Sequence, residues 1–370
     1  MKSTVLCGKP DVEESHVRFD EKEVESAETK RGGVLYKKPL RKRTSELGKI
    51  AAMVAFALCG VFFAHAVADA DVLAEKVGIA AAAGCAAKPE RVVFIGFDGL
   101  GSVAFEKGVK APNIRRLMAE GSWSLDVRTV LPSVSYVNWA SVFTCVPPEL
   151  HGFTTFDGRK PQIDLPCKYA DGRCPDLFGE LRKARPDIRI DYCYEWGGMG
   201  DFASTNACDF IGFADIVGRD AITNFTGVAA GCIRRDKPQF AAIVYGEPDG
   251  AGHKHGWFTK EYMDKVEWLD AELGKLLDAL AESGYTRDNT VLVLTSDHGG
   301  NDHHHGLLAM SELRVPLVIW GKGVKRNHQI KDVTVLYDVG ATLAELLEVP
   351  APQVWRGRPV ADAFVGCGKK

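Results

Sequence analysis

From residue 90 onward, short continuous apolar runs alternate with longer amphipathic segments. Four runs lack the in-out alternation of a half-exposed strand and instead favour strands buried on both faces of a parallel sheet. They are Arg91–Phe97, Phe240–Tyr245, Thr290–Thr295 and Val315–Trp320. A fifth run, Ile188–Tyr194, shows the same pattern more weakly.

Three intervening segments have the spacing of helices. Apolar side chains recur three or four positions apart in Thr259–Ser283, which is typical of a helix with one buried face. Pro112–Glu120, stopped by Gly121, and Asp338–Leu347 are also predicted to be helices. Strands that alternate with helices predict an α/β fold, here a three-layer α/β/α sandwich with a mostly parallel central sheet. The loop-rich residues 153–175 are a candidate for a small cap insertion.

The N-terminal part of the chain has a different character. Residues 1–33 are polar and charged without apolar periodicity, which predicts a disordered leader. Residues 34–70 contain a basic cluster, an apolar run over residues 50–68 and small residues that resemble signal-peptidase sites. This order predicts export to the periplasm or the cell exterior. A cleaved signal peptide is favoured, and an uncleaved membrane anchor is the alternative.

The segment before the apolar run is longer than the one that precedes the apolar region of usual export signals. One explanation is that the true start lies downstream, at Val34. Residues 71–89 are alanine-rich and are interpreted as a linker. Residues 90–365 are then predicted to form one catalytic domain.

Composition narrows the function classes. The chain has 370 residues, 46% of them hydrophobic, and a formal net charge of −3, so it can form one large core but has no basic surface for nucleic-acid polymers. Ten cysteines are present, and in an exported protein Cys167/Cys174 and Cys193/Cys208 are plausible disulfide pairs. Oligomeric state is left open by the sequence.

Three carboxylates follow three of the predicted strands. Asp98, Asp249 and Asp297 come after Arg91–Phe97, Phe240–Tyr245 and Thr290–Thr295. Since ligands of parallel sheets gather beyond the carboxyl ends of the strands, we expect these carboxylates to lie together.

Histidines accompany two of these carboxylates. His298 follows Asp297 directly, and His253 lies four residues after Asp249, with His255 as an alternative on spacing alone. A further ligand is expected among His303, His304 and His305. Three carboxylates and three imidazoles suit two divalent cations, Zn²⁺ most naturally, although other divalent ions remain open.

A hydroxyl nucleophile is expected near residue 135, where a loop ends and a helix begins. A serine at a helix N-terminus beside a dication ionises readily, which makes Ser135 the candidate nucleophile. The alternative is that Ser133 or Ser135 only caps the helix. Asn138, one turn further on, could donate its amide to a phosphoryl oxygen.

In the order of its motifs, the stretch from Arg91 to Arg358 resembles the alkaline phosphatase superfamily, most closely its type I phosphodiesterase/nucleotide pyrophosphatase branch. The resemblance implies that one Zn²⁺ is held by Asp98, Ser135, Asp297 and His298, and a second by Asp249, His253 and His305. Asn138 matches an asparagine that binds the phosphoryl group in that branch. Cys145 stands where the family usually has glycine.

The implied reaction is hydrolysis of a small phosphoric diester by double displacement through a phosphoseryl intermediate. Most members of the nucleotide pyrophosphatase branch have threonine where this chain has Ser135, which weakens transfer of the substrate class. Trp196, Met199 and Phe202 could line an apolar wall that accepts a nucleobase or lipid group, but positions in the core are favoured for them.

Three alternatives remain. A phosphomonoesterase would need an additional positive charge, for which Arg128 or Arg159 could serve. A sulfatase would need Cys-x-Pro-x-Arg, whereas the segment beginning at Cys145 ends in Glu149. A non-catalytic, metal-binding surface protein is the alternative from another class.

Overall fold

The computed structural model describes residues 6–7, 88–156, 159–214 and 219–366. All of the predicted leader except Leu6–Cys7, all of the predicted signal peptide or anchor, and nearly all of the linker lie outside the described residues. Leu6–Cys7 form a short strand that pairs with Phe210–Phe213, contrary to the disorder predicted for residues 1–33. Among the helices that the structure does describe, none combines the length and the apolarity needed to cross a membrane.

A nine-stranded mixed sheet forms the middle of the fold. Its strands are β1 (Leu6–Cys7), β2 (Arg91–Asp98), β3 (Ser122–Arg128), β4 (Ile190–Tyr194), β5 (Phe210–Phe213), β6 (Phe240–Pro248), β7 (Thr290–Ser296), β8 (Arg314–Gly321) and β9 (His328–Gln329). Their spatial order is β1-β5-β4-β6-β2-β7-β8-β3-β9. The run from β5 to β7 is parallel, whereas β8 is antiparallel to both of its neighbours.

Ten α-helices are assigned in the described residues. They are α1 (Val103–Glu106), α2 (Pro112–Glu120), α3 (Ser135–Thr144), α4 (Pro148–His151), α5 (Leu177–Ala184), α6 (Arg219–Asp236), α7 (Asp249–His255), α8 (Lys260–Glu282), α9 (Met310–Leu313) and α10 (Leu336–Leu346). The Thr259 hydroxyl accepts a hydrogen bond from the Tyr262 amide at the start of α8.

Strand β2 shows why the predicted strands are apolar throughout. Val92 and Phe94 face a core that includes residues of α3 and α10, while Val93 and Ile95 face a second core that includes residues of α2 and α8. All four side chains are at most 1% exposed. The three-layer α/β/α prediction is therefore confirmed.

Two details differ from the sequence predictions. Strand β6 continues beyond the predicted Tyr245 to Pro248, so Asp249 is the first residue of helix α7. Neither predicted disulfide is present, because Cys167, Cys174, Cys193 and Cys208 are all free thiols. Cys193 and Cys208 belong to the cores on opposite faces of the sheet, and Cys167 is exposed while Cys174 is buried.

Helix α2 is capped by a residue from a distant helix. Its own N-cap, Ala111, has no side-chain acceptor. The carboxylate of Asp270, on α8, accepts hydrogen bonds from the backbone amides of Asn113 at 3.0 Å and Ile114 at 2.8 Å. This tertiary cap joins two helices that cover the same face of the sheet.

We expect Asp270→Ala to lower the free energy of unfolding by about 2 kcal/mol, because two amides at the helix start lose their acceptor. Asp278→Ala removes an exposed carboxylate from the same helix and should change this free energy by less than about 0.5 kcal/mol. Urea denaturation of both variants measures the difference, and equal midpoints would contradict the capping role.

Candidate metal centre

Three carboxylates lie at one edge of the sheet, where the parallel strands end. Asp98 ends β2 and Asp249 follows β6, and β2 pairs with both β6 and β7. Asp297 comes directly after β7. Asp98 and Asp297 are 4% and 0% exposed, so these carboxylates lie inside the protein and not on its surface.

The first group of side chains surrounds His298. Its Nε2 lies 3.2 Å from Asp297 Oδ2, 3.5 Å from Asp98 Oδ1 and 3.1 Å from Ser135 Oγ. The Ser135 hydroxyl also lies 3.4 Å from Asp98 Oδ1. Ser135 is the first residue of α3, as expected of a hydroxyl placed at a helix N-terminus.

The second group forms around Asp249. Its two oxygens lie 3.5 Å from His253 Nε2 and 3.6 Å from His305 Nε2. The two Nε2 atoms are 3.1 Å apart. The rings of His305 and His298 stack with centroids 3.8 Å apart, so the two groups adjoin.

The structure also distinguishes among the histidines that spacing left open. His305 is the member of its run that reaches Asp249, whereas His303 Nε2 lies 3.8 Å from the exposed Asp302. His304 and His255 are exposed.

Backbone carbonyls fix the tautomers of the three central histidines. The Nδ1 atoms of His298, His305 and His253 lie 2.8, 2.9 and 3.0 Å from the carbonyl oxygens of Gly299, Ser133 and His303. Because a carbonyl oxygen only accepts, each neutral ring must carry its proton on Nδ1 and present a lone pair at Nε2. His253 and His305 therefore point two lone pairs at each other. This arrangement favours a cation between them and is typical of histidine metal ligands.

The charges of the cluster also favour a bound cation. Burial and mutual repulsion raise the pKa of Asp98 and of Asp249 well above the usual range, and burial raises the pKa of Asp297 to about 6. Burial lowers the pKa of His298 and of His305 to about 3, which keeps both rings neutral. Asp249 Oδ1 and Asp297 Oδ2 are buried without a hydrogen-bond partner. Such a donor set fits divalent cations.

Several supporting residues were missed by the sequence analysis. The indole of Trp139 donates to Asp98 Oδ2 at 3.1 Å, and the Gly99 amide donates to Asp297 Oδ1 at 3.0 Å. Gly99 has φ +78°, and a Cβ added there would lie 2.7 Å from the Asp249 Cα. The glycine after Asp98 is thus needed for close packing of two ligand segments. Nothing in the sequence marks Trp139 as a partner of Asp98.

Ser133 has a supporting position beside His305. Its hydroxyl lies 3.0 Å from Glu312 Oε2 and accepts a hydrogen bond from the Gly306 amide at 3.0 Å. Its carbonyl accepts the Nδ1–H of His305. The loop before α3 and the loop after β7 are therefore held together through Ser133.

The role expected for Asn138 is corrected by the structure. This side chain is fully buried, its Oδ1 accepts from the Val130 amide at 2.8 Å, and its Nδ2 lies 3.1 to 3.4 Å from the carbonyls of Val130, Pro132 and Val134. The amide is thus used in holding the preceding loop and has no polar atom left for a phosphoryl group.

The three residues considered for an apolar wall differ in their exposure. Met199 and Phe202 are 0% and 3% exposed and belong to the core. Trp196 is partly exposed and stacks on Phe156, which is 50% exposed, with 13° between the ring planes. Both rings lie against Tyr136, the neighbour of Ser135 in the chain.

Comparison with known proteins identifies relatives of this chain. Residues 92–314 match the family model described as type I phosphodiesterase/nucleotide pyrophosphatase. Among curated relatives, the chain is 25% identical over 224 residues to the bis(5'-adenosyl)-triphosphatase ENPP4 of Bos taurus, an alignment that covers 58% of this chain and 48% of that protein. It is 34% identical over 95 residues to GPI ethanolamine phosphate transferase 1 of Yarrowia lipolytica, covering 25% of this chain and 10% of that protein. The chain thus spans less than half the length of these curated relatives.

Solved structures show the same fold. Murine ectonucleotide pyrophosphatase/phosphodiesterase 5, in a complex with AMP, superposes with a TM-score of 0.61 at 16% identity. The superposition covers 74% of this chain and all of that chain.

We expect Asp297→Asn to lose at least one of two bound metal ions, because a neutral amide cannot offset a cation and would direct N–H groups at His298. Asp302→Asn, whose side chain is 80% exposed in the native protein, should keep the native metal content. Elemental analysis after dialysis against zinc measures both variants. Full metal content in Asp297→Asn would contradict the ligand assignment.

Proposed function

Because the chain belongs to the type I phosphodiesterase/nucleotide pyrophosphatase family, we propose that it hydrolyses phosphoric diesters with Ser135 as the nucleophile. The observation that carries this proposal is the Ser135 hydroxyl at 3.1 Å from His298 Nε2 and 3.4 Å from Asp98 Oδ1, at the start of α3.

Two divalent cations, zinc most naturally, would be held by the two groups of ligands. They are Asp98, Ser135, Asp297 and His298 in one group, and Asp249, His253 and His305 in the other. When bound, such ions act as Lewis acids toward the phosphoryl oxygens and favour ionisation of a neighbouring hydroxyl.

The residues of the chain orient the reacting atoms. Ser135 Oγ attacks phosphorus. The Oγ–phosphorus bond forms as the bond between phosphorus and the leaving alcohol breaks. The departing alkoxide takes a proton from solvent. Water then attacks the phosphoseryl group, the Oγ–phosphorus bond breaks and the serine hydroxyl is restored. The overall reaction converts a diester and water into an alcohol and a phosphate monoester.

Helix α3 is a candidate for the role that Asn138 does not fill. Its N-cap, Val134, has no side chain that accepts from the first amides of this ten-residue helix. Those N–H groups and the helix dipole favour an anionic phosphoryl group beside Ser135. Trp196 and Phe156 would contact an apolar part of the substrate on the same side.

The alternatives are less well supported. A phosphomonoesterase needs a further cation at the phosphate, and Arg128 Nη1 contacts Met310 Sδ at 3.3 Å and not a ligand. A sulfatase would need a modified cysteine at the centre, but Cys145 is fully buried at the far end of α3, about 15 Å along the helix from Ser135. A non-catalytic metal-binding protein would bind the ions without turnover.

We also propose that the protein is exported.

We expect Ser135→Ala to lower turnover of bis-p-nitrophenyl phosphate by about a thousandfold or more, because the covalent step is lost. Its metal content should stay near that of the native protein. Ser133→Ala is the matched control and should retain the larger share of its activity, since the Ser133 carbonyl that holds His305 belongs to the backbone and stays in the variant. Activity lost in Ser133→Ala but kept in Ser135→Ala would reverse the assignment.

We expect chelation with EDTA to abolish turnover and added zinc to restore it, because the carboxylates and imidazoles would lose the charge that they surround. Rates on p-nitrophenyl phosphate and bis-p-nitrophenyl phosphate, measured side by side, should favour the diester. A metal-loaded protein that is inert on both esters would support the binding protein instead.

A further inference from the structure

Glu312 is a buried carboxylate that takes no part in the proposed reaction steps. It lies in the short helix α9, just before β8, and is 1% exposed. Its Oε2 atom accepts hydrogen bonds from the Leu307 amide at 2.6 Å and from the Ser133 hydroxyl at 3.0 Å. One oxygen of Glu312 therefore joins the segment after β7 to the loop before α3.

Both partners of the Glu312 carboxylate adjoin His305. The Ser133 carbonyl oxygen lies 2.9 Å from His305 Nδ1, and the Ser133 hydroxyl accepts from the Gly306 amide at 3.0 Å. Leu307 follows two residues after His305 in the chain. The carboxylate thus acts on this histidine by two routes, through the loop that accepts its Nδ1–H and through the peptide that follows it.

The backbone of Glu312 supports the other central histidine. The Glu312 carbonyl accepts a hydrogen bond from the Gly299 amide at 2.9 Å, and the Gly299 carbonyl oxygen lies 2.8 Å from His298 Nδ1. This support comes from the main chain, so it remains when the side chain of Glu312 is changed. The carboxylate itself therefore acts on His305 and not on His298.

His305 occupies a position that is unfavourable without an ion. Its Nε2 atom lies 3.1 Å from that of His253, and both atoms carry lone pairs because carbonyl oxygens accept the Nδ1 protons. Repulsion between the lone pairs favours the withdrawal of one ring. His253 lies in helix α7, whereas His305 lies in the irregular segment between β7 and α9, so His305 is the ring that needs support from outside its own element.

We propose that Glu312 is a positioning residue for His305 and thereby sets the affinity of the ion held by Asp249, His253 and His305. This inference rests on the ligand groups of the proposed function. Removal of a residue that orients a ligating histidine typically weakens metal binding by about 10- to 100-fold. The reason here is that a segment released from Glu312 no longer directs the Nε2 lone pair of His305 toward Asp249.

The test measures zinc affinity of the full chain in the absence of substrate. Apoprotein is titrated with zinc in competition with a chromophoric chelator, which gives two dissociation constants. We expect Glu312→Ala to raise one of them by at least about tenfold and to leave the other near its native value. Glu312→Gln keeps an oxygen that can accept both hydrogen bonds, so both of its constants should stay near the native values.

Met310→Ala is the matched control for the segment. It shortens a side chain that is 47% exposed in the same short helix and leaves the hydrogen bonds of Glu312 in place. Its two dissociation constants should equal the native ones. A second comparison uses His305→Ala, which lacks the ligand that Glu312 positions. Adding Glu312→Ala to this variant should not weaken the remaining ion further, whereas a general loosening of the fold would weaken it.

Three results would overturn the inference. They are native zinc affinity in Glu312→Ala, an equal loss of affinity in Glu312→Ala and Glu312→Gln, and a further loss when Glu312→Ala is added to His305→Ala. If Glu312→Ala does not fold, Ser133→Ala takes its place. It removes one of the two donors to the carboxylate and should raise the same constant by a smaller factor, and an unchanged constant would overturn the inference.

The binding measurement separates this inference from the proposed hydrolysis. A native chain that binds two zinc ions and shows the expected loss in Glu312→Ala, yet cleaves neither ester, would support the positioning role and remove the proposed hydrolysis. A native chain that binds no zinc would overturn both.

Discussion

Repulsion among three buried carboxylates is the constraint around which this edge of the fold is organised. Asp98, Asp249 and Asp297 converge because β2, β6 and β7 are adjacent strands of a sheet that is parallel in this region. Without a cation, burial holds the pKa values of all three above their usual range, and repulsion between the carboxylates adds to the shift at Asp98 and at Asp249. Neutral histidines with inward lone pairs add ligands but no compensating charge. Divalent ions would supply the missing charge, and this donor set fits them.

The antiparallel direction of β8 explains how the remaining ligand reaches the centre. Because β7 and β8 are antiparallel neighbours, residues 297–313 leave and re-enter the sheet at the same edge. His305 is part of this return segment, and Ser133 and Glu312 fix the segment against the loop before α3. The same segment exposes Leu307 and Leu308. The loop that positions a ligand thus also determines which surface surrounds the opening of the centre.

Family membership and geometry contribute different parts of the functional argument. The family match supports diester hydrolysis, while relatives that cleave nucleotides or transfer ethanolamine phosphate differ in substrate. The substrate class must therefore come from this chain's own surface. Here two apolar features flank the Ser135 region, namely the stacked Trp196 and Phe156 rings and the exposed side chains of Leu307 and Leu308.

The sequence alone determined the elements and the ligand types. Continuous apolar runs predicted the central strands because burial on both faces leaves no polar alternation, and the strand-end rule brought Asp98, Asp249 and Asp297 together. Other features depend on contacts between distant segments. Such contacts bring His305 to Asp249 and the Asn138 side chain to the loop before α3. They also place Cys193 and Cys208 on opposite faces of the sheet, and Asp270 at the start of a helix more than 150 residues away. Periodicity reports which face of an element is buried. The partner of a polar side chain depends on contacts between distant segments, which no local pattern encodes.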